Sequence, residues 1–351
     1  MEFGMQFFPC VSPEQKPGAQ YFDECLRLAA LGDGIGWTHV RTVEHYFLPY
    51  GGYSPNPIVF LTAVAARTRT LKLITGAVLP VFNHPLKLAG EIGMLDAISS
   101  GRLEVGFGRA FLPHEFARFG VSLDESRDRF TEGLEQVRLL LEEENVSSEG
   151  RFHSFKNTTS LPRPTQQPRP PFWIAATVTP QSFVTAGKAG HAVMSIPFAA
   201  KHMKELIELY RTSWREAGHP GNGKVMLGFH MFCDESRERA WAIARDPMNR
   251  YLRSIVAAAS DWSTQTSKDY AGYDKMVTEL SKETIETQVA SGSAWVGTPA
   301  EIIDQIASYN EAMGGYDSAS LQVNFNTIGY AEAERSVRTF TEKVMPHFAG
   351  R

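Results

Sequence analysis

The sequence predicts an α/β fold, a (β/α)8 barrel, on three observations. Short apolar runs of strand length alternate with amphipathic stretches of helical period almost from end to end. Eight such strands can be counted, the number that closes a barrel. The segment 75–110 reads as strand, loop, helix, tight turn and strand, and it ends at the glycine-flanked Arg109. Two strands joined by a helix of this length make a crossover of a parallel sheet. An open, doubly wound sheet has the same alternation, so closure is an expectation.

The elements follow in order. Residues 3–8 form the first strand and 21–31 the helix behind it; 38–43 and 57–67 repeat the pair. Residues 71–78 and 102–107 are the third and fourth strands. Between them Leu86, Leu88, Ala89, Ile92, Leu95 and Ile98 recur at helical spacing, and Ser99-Ser100-Gly101 supplies the break. Residues 124–142 make a long helix with Phe130, Leu134, Val137 and Leu141 on one face. An irregular insertion, polar and proline-rich, spans about 145–170. Strand 171–176, helix 180–189, strand 192–196, helix 201–217, strand 225–232 and helix 235–258 resume the rhythm. Residues 261–293 are rich in Ser and Thr without clear period, as a functional loop would be. Thr298-Pro299-Ala300-Glu301 is a capping box with proline at the first helical position. Strand 319–325 and helix 331–344 close the chain, so 1–351 reads as one barrel domain with an insertion and a lid loop.

Composition narrows the function. A chain of 351 residues, 43% hydrophobic, can bury a large core. A formal charge of -4 argues against a nucleic-acid partner. Cys10, Cys25 and Cys233 are scattered, with no CxxC or Cys/His spacing, so neither a disulfide framework nor a metal site is expected. The N-terminus lacks the features of a signal peptide, and no apolar run approaches membrane-spanning length. A soluble, cytoplasmic protein is expected.

His45, in Glu44-His45-Tyr46-Phe47, follows the second strand at the mouth of the expected barrel, where a histidine can exchange protons near neutral pH. Taken alone it reads as a hydrogen-bonded loop residue. Arg109 and Arg127 are candidate anion ligands, since guanidinium matches phosphate bidentately; for Arg127, within Ser126-Arg127-Asp128, a surface salt bridge is the plainer reading. Residues 177–182, TVTPQS, lead from the fifth strand into a helix N-terminus, whose free N–H groups and hydroxyls suit a phosphate. An ordinary Thr-Pro helix start would look the same.

Together these residues resemble the bacterial luciferase-like flavin-dependent monooxygenases. The central block carries Thr75-Gly76, Leu79-Pro80, His84-Pro85, Leu95-Asp96, Ser99-x-Gly101-Arg102 and Gly106-x-Gly108-Arg109. Phe3-Gly4, Glu44-His45-x-Phe47, Asn56-Pro57, Ser126-Arg127, Ala189-Gly190 with Ser195, and Gly297-Thr298-Pro299 extend the match along the chain. The resemblance implies a (β/α)8 barrel, dimeric through its early helices. It implies reduced FMN (FMNH2) as cofactor, delivered by a separate NAD(P)H:flavin reductase, with O2 as co-substrate. By position His45 is the catalytic histidine. Gly76 and Ala77 match backbone, often a non-prolyl cis peptide, that lies against the isoalloxazine. Arg109, Arg127, Thr177, Val178 and Ser182 fall near the phosphate contacts, Phe111 and Ser195 near the ring, and 261–293 matches a mobile lid over the flavin.

The expected reaction is two-component monooxygenation through a flavin C4a-(hydro)peroxide, giving hydroxylation or Baeyer-Villiger oxidation of a small organic molecule. Phe7, Phe8, Phe107 and Phe111 would help keep the pocket dry, although Phe3 and Phe107 read more readily as barrel packing and Phe111, beyond the strand end, is the better lining candidate. The sequence departs from luciferase itself. Gly108 replaces a reactive cysteine, Tyr46 a second histidine, and Thr177-Val178 an acidic residue and a serine, which argues against light emission. An F420-dependent hydride-transfer enzyme and a non-catalytic flavin-binding paralogue are the alternatives. Glu44-His45-x-Phe47 favours the oxygen-using branch over the first, and retention of both His45 and Arg109 speaks against the second.

Overall fold

The alternation of strand and helix closes into a barrel. The computed structural model describes residues 1–197 and 200–349. Its strands are β1 (Glu2–Phe7), β2 (His39–Thr42), β3 (Lys72–Val78), β4 (Leu103–Phe107), β5 (Val146–Glu149), β6 (Ser154–Thr158), β7 (Phe172–Ala175), β8 (Ala192–Ser195), β9 (Val225–Cys233), β10 (Ala294–Gly297) and β11 (Ser318–Gln322). The ring runs β1-β2-β3-β4-β7-β8-β9-β11, every neighbour parallel, and β11 returns to β1 with Gly4 opposite Ser320. These eight correspond to the eight predicted strands. Closure depends on β9, whose nine residues are all buried. It pairs with β8 from Val225, with β11 over Met226 to His230, and with β10 from His230 onward.

The helices are α1 (Gly18–Gly34), α2 (Pro57–Arg67), α3 (Pro85–Ile98), α4 (Pro113–Phe119), α5 (Ser126–Glu142), α6 (Pro180–Lys188), α7 (Ala200–Glu216), α8 (Arg237–Ala258), α9 (Tyr273–Leu280), α10 (Ile285–Ala290), α11 (Pro299–Met313) and α12 (Tyr330–Lys343). Their starts are written locally. Asn56 Oδ1 accepts the Ile58 N–H at 2.9 Å ahead of Pro57, and Thr298 and Glu301 form the predicted reciprocal box. None of the described helices is long and apolar enough to cross a membrane.

The barrel interior is filled by long side chains laid across glycines. A Cβ on Gly4 would stand 2.2 Å from the His39 ring, one on Gly76 2.5 Å from Arg41 Cδ, and one on Gly106 2.1 Å from the Thr75 carbonyl oxygen and 2.5 Å from the Met194 methyl. One on Gly228 would stand 2.9 Å from Gln6 Oε1. Ile74, Trp173, Met194 and Met226 form an apolar plug separate from the main core. Beside it Trp173 Nε1 donates to Glu104 Oε2 at 2.7 Å, and Glu104 pairs with Lys72 at 3.0 Å.

Four segments differ from the sequence expectation. The insertion contains the antiparallel hairpin β5-β6, whose turn is held by Glu132, its carboxylate accepting the N–H groups of Arg151, Phe152 and His153. Residues 261–293 hold α9 and α10, together with the 3-10 turn Lys268–Tyr270, where no helix was expected. Unpredicted α4 follows β4. The short β10 adds a ninth parallel strand outside the closed ring.

Gly4→Ala is expected to lower unfolding stability by about 1–3 kcal/mol, because the buried His39 ring must shift to admit a methyl group. In urea denaturation the Gly4→Ala/His39→Ala double variant should be less destabilised than the sum of its single changes.

Candidate active site

The carboxyl ends of the strands surround a cavity of about 660 Å3. Of the residues predicted for the site, His45, Gly76, Ala77, Arg109, Phe111, Arg127, Thr177, Ser182 and Ser195 line it. Val178 does not; it packs against the main core. The Gly76–Ala77 peptide is cis, and the pairing of β3 with β4 shifts register across it.

His45 is held by a residue that sequence reasoning missed. Its Nδ1 lies 3.1 Å from Oε1 of Glu115, a fully buried carboxylate at the start of α4. The same oxygen accepts the Tyr46 N–H at 2.9 Å. An oxygen already acting as acceptor assigns the proton to Nδ1 and leaves Nε2 as the free nitrogen of the ring. Phe8, Tyr50 and Phe111 surround the imidazole, with ring centroids 5.8, 5.4 and 5.9 Å away. Glu115 lies 70 positions from His45, and no local pattern connects them.

Glu44 braces the same loop. Its carboxylate accepts from Leu79 N at 3.0 Å and Asn83 Nδ2 at 2.9 Å, and also from the Tyr46 hydroxyl. These bonds tie the loop after β2 to the loop after β3. Burial nevertheless pushes the Glu44 carboxyl up to about 7, since desolvation outweighs the three donors.

The candidate anion site gathers around Arg109 and Arg127. Arg109 stacks its guanidinium 4.2 Å over the Tyr270 ring, while its Nη1 is buried with no partner among the described residues. Tyr270 in turn donates its hydroxyl to the Ala110 carbonyl at 2.9 Å. Arg127 Nε lies 3.5 Å from Asp269, which also accepts the Arg127 N–H. Thr179, at the start of α6, makes no capping bond to that helix. The segment 261–293 therefore reaches both arginines, and it adds Tyr273, Met276 and Leu280 to the cavity wall. Trp262 fastens it further, donating Nε1 to the Phe111 carbonyl at 2.9 Å.

Two polar residues deeper in the cavity, Gln6 on β1 and Arg41 on β2, were also missed. Their alternation with outward-facing neighbours was the available signal.

Comparison with known proteins places this geometry. The family model described as luciferase-like monooxygenase matches residues 1–315. The oxygenase component of the flavin-dependent trigonelline monooxygenase of Acinetobacter baylyi is 28% identical over 96% of this chain and 92% of its own. The crystal structure of monooxygenase RslO1 from Streptomyces bottropensis superposes with a TM-score of 0.89 at 42% identity, covering 99% of this chain and all of that one. The FMN complex of the oxygenating constituent of 3,6-diketocamphane monooxygenase from Pseudomonas putida, at 24% identity over 99% and 98% of the two chains, shares the fold with a TM-score of 0.81.

The raised Glu44 value has a testable consequence. The folded protein keeps a proton that the unfolded chain releases between about pH 4.5 and 7, so this contribution to stability is complete below that window and lost as pH rises through it. Glu44→Gln removes the dependence. Its stability relative to the parent should rise from pH 4.5 to 7.5 by up to about 3 kcal/mol, read from urea midpoints. Parallel curves would show that Glu44 is ionised throughout.

Proposed function

The chain belongs to the luciferase-like monooxygenase family, and from that premise we propose that it is the oxygenase of a two-component system. It takes reduced FMN from a separate NAD(P)H-dependent reductase and uses dioxygen to oxygenate a small organic substrate at a carbonyl or electron-rich carbon. The observation that carries the reading is the pairing of a Glu115-oriented His45 with Arg109, whose Nη1 is buried without a partner among the described residues, on one apolar cavity.

The residues present fit FMN. Arg109 Nη1 needs an acceptor, and the hydroxyls of Thr177 and Ser182 and the start of α6 face the same space, as a phosphate requires. Gly108 leaves the room beside Ala77 and Leu79 that a side chain would narrow: a Cβ there would stand 3.1 and 3.2 Å from them. Phe111 and Ser195 would flank the ring. Bound reduced FMN supplies the electrons that make dioxygen reactive.

The protein's own part is positioning, exclusion of water and proton control. Phe8, Tyr50 and Phe111 present apolar surface around His45, Met194 and Tyr251 add to the apolar lining of the cavity, and Tyr273 and Met276 line it from the lid. His45 Nε2 takes up and returns a proton where the oxygen chemistry occurs, while Glu115 fixes the tautomer and steadies the ring when it is charged. A homodimer through the early helices is supported by exposed apolar side chains there: Val59 on α2, and Met94 and Ile98 on α3.

Titration of the protein with FMN and with F420 should show a preference for FMN, and Arg109→Ala should weaken FMN binding about 10–100-fold. In stopped-flow oxidation, FMNH2 bound to the parent should regain its oxidised absorbance more slowly than free FMNH2. His45→Ala should accelerate that return about 100-fold with hydrogen peroxide released. Return at the parent rate would remove His45 from the mechanism. Light scattering should report a dimer for the parent and a monomer for Ile98→Asp.

A further inference from the structure

Two cationic side chains are buried in the described chain, Lys16 and Arg41, at 3% and 4% exposure. Lys16 is answered in full: its ammonium pairs with the Glu24 carboxylate at 2.5 Å and donates to the Ile328 carbonyl at 2.8 Å. Arg41 is not. Its Nη2 donates to the neutral Gln6 Oε1 at 2.7 Å and its Nη1 approaches the Met226 sulfur at 3.8 Å. Its Nε has no partner, and no carboxylate pairs with it among the described residues. Burial draws the guanidinium down to about 10, which still leaves it charged at neutral pH.

The surroundings are shaped to keep that charge where it is. Gly76 on one side and Gly228 on the other lack the Cβ that would strike the guanidinium, at 2.9 Å from Nε and 3.0 Å from Nη2. Gln6 fixes its plane. Nearby His39, pulled down to about 3 by burial, stays neutral and adds no second positive charge. Arg41 and Gln6 both line the cavity, together with Gly76 and Tyr251. A buried cation with five donors and no anion is a group awaiting one.

We propose that Arg41, oriented by Gln6, determines substrate specificity by binding an ionised oxygen of the substrate, so that the cavity selects organic anions such as carboxylates, phenolates or enolates over their neutral analogues. This deepens the oxygenase reading and rests on it for the identity of the site. In that arrangement Arg109 serves the phosphate on the lid side of the cavity, and Arg41 serves the substrate from the floor.

The test uses the full chain saturated with FMN, so that the phosphate ligands are filled, titrated calorimetrically with 2-naphthoate and with its neutral counterpart 2-naphthamide. The parent should bind the carboxylate at least about tenfold more tightly. Arg41→Met should abolish that preference while leaving 2-naphthamide and FMN affinities within about twofold, and Arg41→Lys, which keeps the charge without the fork, should retain part of it. Gln6→Leu should reduce the preference as well, and it decides the matter together with the parent titration if Arg41→Met does not fold. Equal affinity for the two probes in the parent, or binding of neither, overturns the proposal. So does an Arg41→Met variant that loses FMN as much as naphthoate, since the charge would then serve the cofactor. Failure of FMN itself to bind, with the preference for naphthoate intact, counts against the oxygenase reading and leaves the anion site standing.

Discussion

Everything the cavity contains is arranged by the closure of one sheet through one strand. β9 is buried along its whole length and hydrogen-bonds to three neighbours, joining the last strand of one side of the ring to the strand that leads back to β1. A parallel sheet left open would place Gln6, Arg41 and Met226 on a flat face, where helices would cover them. Closed, it turns the same positions inward, and the chain must then fill a narrow tube. It does so with an apolar plug of Ile74, Trp173, Met194 and Met226 and with polar side chains above and below it.

Function is built at the upper rim of that tube by contacts between loops rather than within them. Glu44 joins the loop after β2 to the loop after β3, and Glu115 brings the start of α4 back to His45. Each contact fixes a direction as well as a position. Glu115 decides which ring nitrogen of His45 is left free, and Asp269 and Tyr270 decide how the two outer arginines are presented. Segment 261–293 is therefore part of the electrostatics of the cavity as well as of its wall.

Much of this was legible in the sequence because it is local. Strand and helix periods, the Asn56-Pro57 and Thr298-Pro299 starts, and the glycine-flanked Arg109 are each specified within a few residues, and the folded chain keeps them. What escaped is either distant or short. Glu115 meets His45 across 70 positions, and Asp269 meets Arg127 across 142. The four residues of β10 are too few to show a period, and the β5-β6 hairpin hides among polar side chains and prolines. Val178 failed for another reason. It lies in the bend after β7, where side-chain direction follows the individual turn rather than a strand period, and it packs on the core instead of the cavity.

The glycines of the barrel carry a consequence for how such a site can change. Gly4 with His39 and Gly76 with Arg41 are steric couples in which one member is empty because the other is long. Neither can be altered alone without a collision or a void. New pocket chemistries on this scaffold are thus reached by paired exchanges between adjacent strands, and an alignment of descendants should show these positions drifting in step, volume traded across each couple while the ring itself is preserved.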